Sequence, residues 1–188
     1  MRVKSKTSES EQYLSTSNRI TGVVVMVISL IGLVDIVLEW RTLGGLLVAA
    51  VIGLLMALAY TGLVRPSVTL RPQGLLIRNH LRDHEVPWNR ITDVDVTDIL
   101  RVHTAQGMVR APGVQLVMRD LRKQRVGGRK LSADSSLSRA DFVVDRIESH
   151  IELYGPKAEG ETVTSWARLE LWVIGALVVV ALIAEFLR

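Results

Sequence analysis

The chain has 188 residues, 48% of them hydrophobic, and a formal net charge of +4. It contains no cysteine, which excludes a disulfide framework, thiolate chemistry and Cys-type zinc sites. The apolar residues are gathered in blocks around a charged middle, giving a mean hydropathy of +0.28, which points to an integral membrane protein with a basic surplus to be read first as topology.

Residues 1–19 are polar and carry Arg2, Lys4, Lys6 and Arg19; they predict a disordered tail. Residues 20–38 are apolar except for small residues and Asp35, and as a helix they span about 28 Å, close to the hydrocarbon thickness of a bilayer. A cleaved signal peptide is the weaker reading, because the run is long and no A-x-A site follows. Glu39-Trp40-Arg41-Thr42 makes a tight polar turn, with Trp40 suited to an interface. Residues 43–64 form a second span without charge, completing a transmembrane hairpin over 20–64. Within it Gly45, Ala49, Gly53, Ala57 and Thr61 recur every fourth residue. This small-residue strip allows close backbone approach to the first helix or to a second copy, and Gly53 sits at its centre.

Residues 65–156 change character. Val68 and Leu70, Val94 and Val96, and Val114, Leu116 and Met118 alternate with polar residues. Turn signals fall at 71–74, 81–84 and Gly127-Gly128, so short antiparallel strands are expected. Ser138 and Asp141 form a capping-box variant opening a helix whose Val144, Ile147, Ile151 and Tyr154 share a face, ended by Gly155-Pro156. Residues 157–168 read as a linker and 169–188 as a third transmembrane helix, with Trp166, Arg168 and Trp172 as interfacial anchors. Arg41 is the lone basic residue of the 39–42 turn, whereas the tail holds four and residues 65–155 fifteen. The asymmetry places the N-terminus and the middle domain in the cytoplasm, at the plasma (inner) membrane.

Ser67-Val68-Thr69-Leu70, Gly74-Leu75-Leu76-Ile77-Arg78-Asn79 and Val86-Pro87-Trp88-Asn89-Arg90-Ile91-Thr92-Asp93-Val94 resemble bacterial pleckstrin-homology (PH)-like domains. The similarity is to the actinobacterial low-molecular-weight antigen 6 group of small membrane proteins, in which such strands follow a membrane hairpin. It rests chiefly on the spacing of Gly74 and Trp88 and covers about half the chain. The resemblance implies a bent antiparallel sheet or barrel capped by a C-terminal helix, and so an α+β membrane protein. The third membrane helix departs from the commoner two-helix layout.

No nucleophile–base pair is present, so an enzyme is not expected, nor any cofactor. His80 and His84 flank a predicted turn and lack a third ligand, so no metal site is expected. Trp88 reads as core rather than as a stacking platform. Arg119, Arg122, Lys123, Arg125, Arg129 and Lys130 form the strongest chemical signal, opposed only by Asp120. The cluster is either a patch for anionic lipid headgroups or a solvated hairpin tip; without interleaved aromatics it is not a nucleic-acid surface. Asp35 and Glu185 are the intramembrane acids, read as interfacial groups in reach of Arg41 and Arg188 or, more sharply, as part of a proton or cation path. The preferred function is a non-enzymatic PH-like binding module, engaging anionic lipid, another envelope protein or a further copy of itself. The alternative is an accessory subunit of a transporter or channel using Asp35 and Glu185.

Overall fold

The structure is a computed structural model that describes residues 10–115 and 139–188. In chain order its elements are β1 (Glu11–Tyr13), α1 (Thr16–Glu39), α2 (Leu43–Ala59), β2 (Ser67–Arg71), β3 (Gly74–Arg78), β4 (Arg82–Pro87), β5 (Ile91–Val96), β6 (Ile99–Thr104), β7 (Gly107–Gln115), α3 (Arg139–Tyr154), β8 (Val163–Trp166) and α4 (Arg168–Phe186). The chain divides into a sheet-bearing unit, with residues 1–15, 67–79 and 83–164, and a helical unit, with residues 16–66, 80–82 and 165–188.

The sheet unit is α+β and antiparallel. Five strands run in the order β1-β2-β3-β4-β8, and β5-β6-β7 form a separate three-stranded sheet. Period-2 alternation sets which face is inside: Leu75 lies opposite Val86, and Val68 opposite Ile77, all four buried. These residues form one apolar cluster with Leu100, Val102 and Ala111 of the second sheet and Val143 and Ile147 of α3. The bent sheet or barrel that the resemblance implies takes the form of two antiparallel sheets sharing one core, with α3 covering it. The helix face includes Val143, which the sequence reading passed over, together with Val144, Ile147, Ile151 and Tyr154.

Three local expectations are corrected. The tail is not wholly unstructured: Glu11–Tyr13 pair with β2, Tyr13 opposite Val68, and α1 already begins at Thr16. An edge strand needs backbone partners more than apolar residues, and only Tyr13 packs on the core. The 157–168 linker contains β8, a strand too short to show periodicity, whose neighbour β4 is remote in sequence. The turn expected at 81–84 sits earlier, at 79–81, because β4 starts at Arg82 to keep Arg78 opposite Asp83. The 127–128 turn and the Ser138 cap lie outside the described residues.

In the helical unit, α1, α2 with its continuation, and α4 are long and apolar enough to cross a membrane. Thr42 starts α2 by accepting a hydrogen bond at Oγ1 from the Gly45 amide, 3.1 Å away. At the other end the helix widens into a π-turn over Tyr60–Val64, where the Arg65 amide donates to the Tyr60 carbonyl at 2.9 Å. α2 packs on both α1 and α4. The small-residue strip was expected to meet α1 or another copy, but at Gly53 it meets α4: a Cβ there would lie 3.1 Å from Leu177 Cδ2. Close approach to α1 occurs further on, where a Cβ on Gly22 would stand 2.7 Å from Val64 Cγ2.

Candidate functional site

Trp88 is 0% exposed and lies not within a strand but in a single 3₁₀ turn between β4 and β5. Pro87 shapes the entry, and the buried indole N–H donates to the Arg71 carbonyl at 2.9 Å. The Trp88 ring continues into His150 and then Tyr154 of α3, with centroids 5.5 and 5.7 Å apart. Gly74 is held just as firmly, since a Cβ would collide with the Val86 carbonyl oxygen across the sheet. Trp88 thus ties the β2–β3 corner to α3.

Above that corner is a groove of about 410 Å³. Its floor is Leu75, Leu76, Val86 and Pro87, and its rim includes Arg71, Glu85, Glu159 and Glu161. Arg71 and Glu85 pair at 3.4 Å, leaving Glu159 and Glu161 to make the rim acidic. The wall at 159–161 comes close because Gly160 has φ of +139° and would place a Cβ only 3.2 Å from the Pro87 ring. Arg90 holds that wall by donating from Nε to the Gly160 carbonyl at 3.0 Å. No sequence period marks the groove; its signal is Glu159-Gly160-Glu161, in a stretch that reads as linker.

A second cluster ties β1 to α3. Arg146 grips Glu11 through Nε and a terminal nitrogen, at 3.0 and 2.6 Å, and the Tyr13 hydroxyl donates to the same carboxylate at 2.8 Å. The Arg146 hydrogen bonds hold the Glu11 carboxyl down at about 2, against an ordinary 4.5. Burial, with the Glu11 hydrogen bond behind it, pushes the Tyr13 phenol up to about 12.

His80 lies in the β3–β4 turn and His84 on β4, its Nδ1 3.0 Å from Thr164 Oγ1. Among the described residues no group of three His, Asp or Glu side chains is placed to hold a metal ion. Asp35 and Glu185 are exposed on α1 and α4. Among the described residues no salt bridge joins either of them to Arg41 or Arg188. An ion pair of the helical unit joins Arg65 to Glu170, Nε to Oε1 at 2.8 Å, with side chains only 7% and 17% exposed. The basic cluster Arg119, Arg122, Lys123, Arg125, Arg129 and Lys130 lies outside the described residues, in the segment joining β7 to α3.

Residues 65–131 match the family model described as Bacterial PH domain. The match supports a bacterial PH-like domain at these residues, a stretch that holds Gly74, Trp88 and all six residues of the basic cluster. No curated protein and no solved structure matches the chain. A PH-like domain suggests a binding module, and the three apolar helices fit a membrane protein.

Proposed function

We propose that the protein is a membrane-anchored, non-enzymatic binding module whose PH-like domain engages anionic lipid headgroups at the cytoplasmic face of the inner membrane. The observation that carries this reading is the family match at 65–131 in a chain whose apolar helices stand both before and after it. Tethered in this way, the domain meets ligands held at the same surface at high effective concentration. Arg119, Arg122, Lys123, Arg125, Arg129 and Lys130 are the binding residues in this reading, since clustered cations beside a bilayer attract anionic headgroups. The membrane hairpin ahead of the domain favours the antigen 6 type of small membrane protein.

The acidic groove supports a second reading, in which the domain grips a basic segment of another envelope protein. A transport role for Asp35 and Glu185 draws no support from their placement, since both are exposed near helix ends. The test compares the full chain with a variant carrying Gln at Arg122, Lys123, Arg125, Arg129 and Lys130. Each is reconstituted in nanodiscs of phosphatidylcholine with phosphatidylglycerol, and the lipid retained after detergent extraction is measured. The native chain should retain phosphatidylglycerol selectively at low salt and less at high salt, and the variant should retain less of it than the native chain. Equal retention by both moves the function to a protein partner.

A further inference from the structure

The helical unit carries a basic and apolar patch at the start of α4. Trp166, Leu169 and Trp172 expose 53%, 75% and 79% of their surface. Large apolar side chains so exposed mark an interaction surface. At the mouth of a helix long and apolar enough to cross a membrane, aromatic residues belong in the headgroup layer. Arg82, remote in sequence, joins them: its guanidinium carbon sits 4.0 Å from the centre of the Trp166 ring. The placement is braced by the backbone, because the Ala167 amide donates to the Leu81 carbonyl at 2.9 Å.

We propose that Arg82, stacked on Trp166 and joined by Arg168, docks the phosphate of an anionic phospholipid. A guanidinium that stacks through its flat face keeps its in-plane N–H donors free, and that fork matches two phosphate oxygens. Among the described residues neither Arg82 nor Arg168 has a carboxylate partner. Glu170, the acid of this helix turn, is already taken by Arg65 at 2.8 Å and so leaves the positive charge at the patch uncancelled. Leu169 and Trp172 supply the apolar side that acyl chains require and that a soluble phosphate would leave unused. The site rests on the membrane-spanning part of the proposed function but uses none of the 119–130 cations.

The experiment uses the full chain in phosphatidylcholine nanodiscs, with and without phosphatidylglycerol. In a Trp40→Phe, Trp172→Phe background, used for emission alone because Trp172 belongs to the patch, Trp166 is read against acyl-brominated lipid; Trp88 is enclosed in the sheet unit and stays unquenched, and lipid retention is measured with the native tryptophans. Trp166 should be quenched. Selective retention of phosphatidylglycerol should fall about fivefold in Arg82→Gln, as for removing one cation from an anionic surface, and less in Arg82→Lys. Unquenched Trp166 overturns the inference. So does undiminished retention in Arg82→Gln, or displacement of the lipid by soluble glycerol phosphate, which would show a phosphate site indifferent to acyl chains. The Gln variant at 122–130 separates the two proposals. Loss there with full retention in Arg82→Gln rejects this site and leaves the proposed function standing; the reverse pattern supports this site and removes the basic cluster from the function.

Discussion

The two units handle the same kind of residue in opposite ways. In the sheet unit a tryptophan is enclosed and its one polar atom is satisfied; in the helical unit Trp172 is 79% exposed. Small residues differ as well. Gly74 is required by a carbonyl across a strand pair, whereas Gly53 faces the end of a leucine side chain on a neighbouring helix. The first pattern is that of a domain which drives its apolar groups away from water. The second fits a membrane protein, since in lipid an apolar helix surface has nothing to escape from and helix contacts depend on close fit and a few polar ties.

The largest effect expected from this contrast is at Trp88. Trp88→Ala should cost about 3–5 kcal/mol, the range for truncating a buried large aromatic. Hydrogen exchange on the full chain in micelles should show β2, β3 and β5–β7 losing protection while the three long helices keep theirs. Equal loosening of the helices would break the distinction between the units.

Next is the tie between helices. Glu170→Gln leaves Arg65 largely enclosed and without its counter-charge. Somewhat below the loss for a fully buried pair, the cost should be about 2–3 kcal/mol. Cross-linking between cysteines placed on α2 and α4 should fall, with the sheet unit's exchange unchanged. Undiminished cross-linking would show that packing alone holds these helices.

Gly53→Leu should cost about 1–3 kcal/mol by overpacking against Leu177. Gly53→Ala should be milder, because the atom it meets is the flexible end of that leucine. The same α2–α4 cross-linking reads both, and equal yields in all three forms would place the strip against lipid.

The smallest effect concerns β1 and sharpens the comparison from the sheet side. Glu11 has a depressed folded value, so its contribution is present above an ordinary 4.5 and is lost as pH falls towards about 2. Tyr13 works in the other direction, losing its contribution as pH rises from 10 towards about 12. Because the Glu11–Arg146 pair is partly open to solvent, its worth is about 0.2–1 kcal/mol. Exchange protection of Glu11–Tyr13 should fade below pH 4.5 while β2 and β3 stay protected, and Arg146→Gln should remove that dependence. A β1 whose protection ignores acid would show that backbone pairing alone retains it.

Local chemistry made much of the fold legible. Long apolar runs announce helices with the length to span a bilayer, and period-2 alternation with turn residues announces antiparallel strands. The Gly74 and Trp88 spacing pointed to a PH-like domain that the family match at 65–131 supports. β1 and β8 escaped notice because three- and four-residue strands have no readable period and their pairing partners lie far along the chain. The groove escaped because its walls come from 71–76, 85–87 and 159–163.

What the sequence determined by itself was therefore the three long apolar helices, the amphipathic α3 and the antiparallel character of the strands between them, though β6 and most of β7 carried no mark that was read. These features follow from the order of apolar and polar residues within a single helix or strand. Only the tertiary structure decided that Gly53 meets α4, that Arg65 takes Glu170, that Arg146 grips Glu11 and that Arg82 stacks on Trp166. Those pairings join residues far apart in the chain. Charge and size permit many such pairs, and the packing of the elements selects among them.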